Sequence, residues 1–132
     1  MVSPGELLLP FEQRFFDRVG TLLRALDHEA LLLVYLDRAG AFLGDELIAG
    51  GTSCSVGIPY RLLFERAFRR RAARLVLAHN HPSGSAEPSE LDIRSTRGLQ
   101  ALAVPMEIRL DDHLIVGAQE VFSMRAAGLV IG

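Results

Sequence analysis

From the amino end, apolar residues first recur at helical spacing. Phe11, Phe15, Val19, Leu22, Leu23 and Leu26 share one stripe, which predicts an amphipathic helix from Phe11 to Leu26. The period then changes. Ala30 to Leu36 is an unbroken apolar run closed by the turn-forming string Asp37-Arg38-Ala39-Gly40, and Ala41 to Ile48 follows. That pattern predicts two strands joined by a tight turn. Thr52 to Ile58 predicts a short third strand. Pro59 opens a helix that runs to about Ala72, as proline does at a first helical position. Arg74 to Ala78 predicts a buried strand leading into His79, Pro82 to Pro88 a loop, and Ser89 the start of a helix to about Ala103. Met106 to Leu110, His113 to Val116 and Glu120 to Met124 read as short strands, with a helical turn over Ser123 to Gly128 as the other reading of the end. The order α-ββ-β-α-β-α-β-β-β fits an α/β (α+β) fold with a single mixed β-sheet flanked by helices.

Composition adds limits. The 132 residues, 49% of them apolar and 23% charged, describe an ordinary globular chain long enough for a real core. A formal charge of −2 gives no argument for nucleic acid, a membrane surface or acidic substrates. Cys54 is the only cysteine, which excludes a disulfide framework and a Cys-rich zinc site and reads as a buried thiol in a reducing compartment. Met1 to Pro10 is short, acidic at Glu6 and broken by Pro4 and Pro10, unlike a signal peptide. The apolar run Ala30 to Leu36 is too short to cross a bilayer. These features read as a cytoplasmic protein without a membrane partner. All 14 basic residues are arginine, so neither a Schiff-base lysine nor a P-loop lysine is available.

The segment His79 to Asp92 carries the chemistry. His79 and His81 are two apart at a strand end, so both imidazoles leave one face. A seven-residue loop, turned by Pro82, Gly84 and Pro88, returns the chain to Ser89, and Asp92 follows in the first turn of the next helix. Locally, Ser89-Glu90-Leu91-Asp92 is a helix-start pattern, Ser as N-cap with an acid three residues on, and the two histidines are a polar strand end. Their conjunction points to a metal. Two imidazoles and one carboxylate supply three of the four ligands zinc accepts, leaving a position for water as catalytic sites do.

The spacing His-x-His, seven residues, Ser, two residues, Asp resembles the metal motif of the JAMM (MPN+) metalloproteases. The words Leu77-Ala78-His79-Asn80-His81-Pro82-Ser83-Gly84, Ala86-Glu87-Pro88-Ser89 and Asp112-His113-Leu114-Ile115-Val116-Gly117 are similar to the RadC-like branch of that superfamily. The likeness covers roughly residues 28 to 131. It implies a JAMM/MPN-like, cytidine-deaminase-like architecture, with an N-terminal helical segment (1–27) ahead of a RadC-like domain (28–132) in one globular unit. It implies Zn2+ on His79, His81 and Asp92, and cleavage of peptide or isopeptide bonds in a peptide or protein substrate. Spacing alone implies only metal-assisted hydrolysis. The resemblance adds an upstream glutamate within Asp45-Glu46-Leu47-Ile48-Ala49-Gly50-Gly51-Thr52. It carries over to Glu46 as the general base, with Asp45 as runner-up because strand neighbours face opposite ways. Ser89 would cap its helix and donate to a developing oxyanion.

The chain departs from full-length RadC-like proteins, which have an N-terminal helix-hairpin-helix region that 27 residues cannot hold. Other readings of the family are a metal-binding accessory protein of DNA repair and a non-catalytic scaffold. Arg61, Arg66, Arg69, Arg70, Arg71 and Arg74 could track phosphates; solvated charge near a helix C-terminus is the commoner explanation of such a cluster, with nucleic acid the open alternative. Asp111, Asp112 and His113 read equally as supports of a ligand histidine or as a turn with a surface His. His28 reads as structural or exposed. A homodimer stays open.

Overall fold

The computed structural model describes residues 13–48 and 58–130. They form three helices and five strands: α1 (Gln13–Arg24), β1 (Leu31–Leu36), β2 (Phe42–Ile48), α2 (Tyr60–Arg69), β3 (Arg74–Asn80), α3 (Glu90–Ala103), β4 (Arg109–Val116) and β5 (Val121–Ser123). The strands make one sheet in the order β2-β1-β3-β4-β5. All neighbours are antiparallel except β3 and β4, which run parallel. A parallel pair needs a long crossover, and α3 is that crossover. The sheet is therefore mixed and flanked by helices, as the pattern predicted.

Both faces are covered. Phe15, Val19 and Leu23 of α1 pack on Leu32, Val34, Val76, Ala78 and Leu114. On the other face Leu63 and Phe64 of α2 and Leu99 and Ala103 of α3 pack on Leu31, Leu33, Leu75 and Leu77. β1 lies between these layers and is buried at every position. Coverage on both sides explains its unbroken apolar run, since an alternating strand would put polar groups into one core.

Three expectations change. Met106 to Leu110 and His113 to Val116 are not two strands about a turn: β4 is continuous through Asp111 and Asp112, both buried. The acids are accommodated individually. Asp111 pairs with Arg74 at 2.7 Å and Arg109 at 3.2 Å. Asp112 accepts from the His113 N–H at 2.7 Å and the Arg125 N–H at 2.9 Å. The register slips by one residue at this point, Leu75 facing Leu110 but Val76 facing Asp112, so Asp111 sits in a bulge. Pro59 is the N-cap rather than the first helical residue, and its carbonyl accepts the Leu63 N–H at 3.1 Å. The same helix stops before Ala72 because Arg71 turns left-handed (φ 53°), and Ala72 N–H closes on Ala67 O at 3.0 Å. At the carboxyl end β5 stops at Ser123 and turns follow. Cys54, residues 52–57 of the expected third strand and residues 1–12 lie outside the described residues. Among the described residues no helix is long and apolar enough to cross a membrane.

Leu33 is fully buried at the centre of the α2/α3 layer, whereas Leu102 on α3 is 43% exposed. Leu33→Ala should lower unfolding free energy by roughly 2–5 kcal/mol in urea titrations, and Leu102→Ala by less than about 0.5 kcal/mol.

Candidate metal centre

β3 delivers His79 at its end and His81 just beyond it. The intervening Asn80 turns to the other side, where its amide accepts the Ala30 N–H at 2.8 Å and donates to the His28 carbonyl at 2.8 Å. That clamp fixes the strand end from which both imidazoles leave. The His28 ring itself is half exposed and lies 3.0 Å from the Asp27 carboxylate. After His81 the chain turns at once, Gly84 N–H bonding to His81 O at 2.9 Å with Gly84 at φ +97°. Few residues but glycine take that conformation readily. The loop then leans on Gly117, where an added Cβ would lie 2.7 Å from the Gly84 carbonyl oxygen.

The loop ends at Ser89, which caps α3. Ser89 Oγ accepts the Asp92 N–H at 3.0 Å, and Asp92 Oδ2 accepts the Ser89 N–H at 2.9 Å. This capping box aims Asp92 back at the histidines. His79 Nε2 and His81 Nε2 stand 3.0 Å apart. Asp92 Oδ1 is 3.4 Å from the first, and Oδ2 is 3.3 Å from the second. A tetrahedral zinc with bonds of about 2.0–2.1 Å spaces its ligand atoms by about 3.3 Å, so this donor set fits such an ion. The carboxylate is buried, which would raise its pKa, but the His79 ring beside it and the hydrogen bonds from Ser89 outweigh burial and hold it well below the usual carboxylate range. It stays ionised, as a ligand must.

The remaining ring nitrogens are engaged. His81 Nδ1 lies 3.0 Å from the Ser85 carbonyl oxygen, and His79 Nδ1 lies 2.7 Å from His113 Nε2. His113 is not a surface residue: it is 1% exposed, and burial, with His79 alongside, pushes its imidazole down to about 3. It supports His79, which is the first of the two readings the sequence left balanced. Asp111 and Asp112 serve β4 instead. Thr96, one turn after Asp92 and fully buried against His113, was missed by sequence reasoning. Its i, i+4 relation to Asp92 was the available signal.

Glu46 and Asp45 part company on β2. Asp45 faces α1 and takes a two-pronged contact from Arg18, at 2.8 and 3.0 Å. Glu46 pairs with Leu33, which pairs with Leu77, so it shares the sheet face of His79, two residues along. Its carboxylate accepts the Tyr35 hydroxyl at 2.6 Å and pairs with Arg66. The Tyr35 bond, with Arg66 adding to it against partial burial, holds the Glu46 carboxyl below its ordinary range.

The profile of the RadC-like JAB domain family matches residues 12–129. A UPF0758 protein of Salinibacter ruber is 42% identical over 115 residues, covering 86% of this chain and 49% of the relative. One of Vibrio atlanticus is 38% identical over 112 residues, covering 85% and 50%. One of Pseudoalteromonas translucida is 35% identical over 115 residues, covering 87% and 51%. The chain spans about half the length of these relatives.

Two outcomes follow from this geometry. Gly117→Ala should displace the 82–88 loop and weaken any metal binding at this donor set by about tenfold in chelator competition, as loss of ligand support does; unchanged affinity would show that Gly117 does not brace the site. The second concerns the metal-free chain. His113 has a folded value near 3 against an ordinary 6.5, so the unfolded chain takes up the proton first as pH falls. Its contribution to stability is full above about pH 6.5 and drains towards pH 3, by up to about 1.4 kcal/mol per pH unit. Urea denaturation of metal-free protein between pH 7 and 5 should show a steeper loss for the wild type than for His113→Gln.

Proposed function

The chain belongs to the RadC-like JAB domain family, and on that footing we propose that it is a zinc-dependent hydrolase cleaving peptide or isopeptide bonds. The observation that carries this reading is the triangle of His79 Nε2, His81 Nε2 and the Asp92 carboxylate, with edges of 3.0 to 3.4 Å. Zinc held there would act as a Lewis acid and bring the pKa of a water to about 7.

The chain's own residues divide the rest. Glu46 is the general base: a carboxylate oxygen takes the proton of the attacking water and returns it to the leaving amine. Its depressed pKa keeps it able to accept, and its place on the His79 face supports the choice over Asp45. Ser89 Oγ accepts the Asp92 N–H, and in this reading its O–H would donate to the developing oxyanion. The complete donor set favours an enzyme over a scaffold that has lost its metal.

The partner in this reading is a peptide or protein, and the compartment is the cytoplasm. Three of the six arginines that could have tracked phosphates have other work: Arg66 pairs with Glu46, Arg70 lies over the Tyr35 ring at 5.2 Å, and Arg74 pairs with Asp111. That supports leaving nucleic acid aside.

Protein purified without added zinc should carry about one zinc per chain, lost in His81→Ala, by elemental analysis; equal zinc in both sinks the assignment. Against a broad panel of peptide and isopeptide substrates, Glu46→Gln should retain the metal yet lose roughly 100- to 10,000-fold in kcat. Undiminished turnover in that variant would remove Glu46 as the base.

A further inference from the structure

Behind the three ligand candidates stands a wholly buried pair, Thr96 and His113. Both nitrogens of the His113 ring are engaged, Nε2 with His79 Nδ1 at 2.7 Å and Nδ1 with Thr96 Oγ1 at 2.6 Å. The Thr96 hydroxyl has one proton. It is donated to the Asp92 carbonyl at 2.7 Å, with the Met124 sulfur at 3.8 Å the poorer acceptor. Thr96 Oγ1 therefore accepts from His113 Nδ1–H. An uncharged imidazole protonated at Nδ1 has a bare Nε2. His113 thus accepts from His79 Nδ1–H, and His79 Nε2 is left bare on the side of His81 and Asp92.

We infer that Thr96 and His113 are a positioning relay that sets the tautomer and ring orientation of His79, and through them the metal affinity of the site. The inference rests on the zinc reading above. The two histidines are supported differently. His81 leans on the carbonyl of Ser85, an exposed residue of the loop, whereas His79 is held from the core through two side chains. The relay also closes on the third ligand, because Thr96 bonds to the backbone of Asp92 itself. Ligand supports of this kind commonly change metal affinity by about 10- to 100-fold when removed.

Two substitutions separate the relay from simple packing. In His113→Gln the amide oxygen reaches the position of Nε2 and can still accept from His79. In His113→Asn the shorter amide reaches only the position of Nδ1, so it meets Thr96 and leaves His79 unsupported. Zinc dissociation constants of the full chain, from competition with a chromophoric chelator, should rise about 10- to 100-fold for His113→Asn and stay within about threefold of wild type for His113→Gln. Thermal midpoints of the two metal-free variants should agree. Equal affinity in His113→Asn and wild type, or equal losses in both variants, overturns the relay. If either fails to fold, Thr96→Val carries the test: about tenfold weaker zinc binding is expected, and wild-type affinity overturns it. Wild-type protein binding zinc no better than His81→Ala removes the zinc reading and the relay together; tight wild-type binding with an unaffected His113→Asn removes the relay alone.

Discussion

Two hydrogen bonds across the first turn of α3, Ser89 N–H to Asp92 and Asp92 N–H to Ser89, determine where the carboxylate points. Their effect depends on the topology around them. β3 and β4 are parallel, so the chain must leave the carboxyl end of β3, fold into a helix and run back along the sheet. The helix therefore begins beside the point where the two imidazoles emerge. Its unpaired N–H groups and positive dipole end favour an acid in the first turn. Connection, cap and ligand are thus one arrangement. The histidines come from the strand that enters the crossover, and the carboxylate comes from the helix that makes it.

Neighbouring acids on β2 show how strictly the sheet sorts its side chains. Asp45 goes to Arg18 on α1 and Glu46 to Tyr35 and Arg66 on the other side. A slip of one residue in the β1–β2 pairing would exchange them and bring every core side chain of β2 to the wrong layer. The apolar demands of two cores therefore hold the polar residue in place. Arginine suits these contacts: its planar fork meets Asp45 with two nitrogens at once, which a lysine ammonium would not reproduce.

The parts of this protein legible in its sequence were those decided locally. Strand alternation places His79 and His81 on one side, and the Ser-x-x-Asp pattern announces both a cap and the direction of Asp92. The single mixed sheet followed from the change between helical and strand periods. What stayed hidden depends on partners distant in the chain. The choice between Asp45 and Glu46 required the register of β1 against β2 and the helix opposite each acid. Asp111-Asp112-His113 looked like a break because three polar residues interrupt an apolar strand. They are buried only because Arg74, Arg109 and Arg125 come to meet the acids and His79 meets the histidine. Thr96 looked like an ordinary helix residue until the strand beneath it was known.

Asp92 and Thr96 lie one helical turn apart, and each reaches toward His79, one directly and one through His113. Chain length between them is therefore not free to drift. One residue inserted or deleted in 93–95 would rotate one partner by about 100° about the helix axis relative to the other. The turn at Asp37–Gly40 lies at the opposite end of the sheet, since Leu36 pairs with Arg74 while Leu31 pairs with His79. It can change length without disturbing that alignment. Over evolutionary time the indel pattern of this fold should be lopsided, with variable lengths at the hairpin and a constant count through the first two turns of α3.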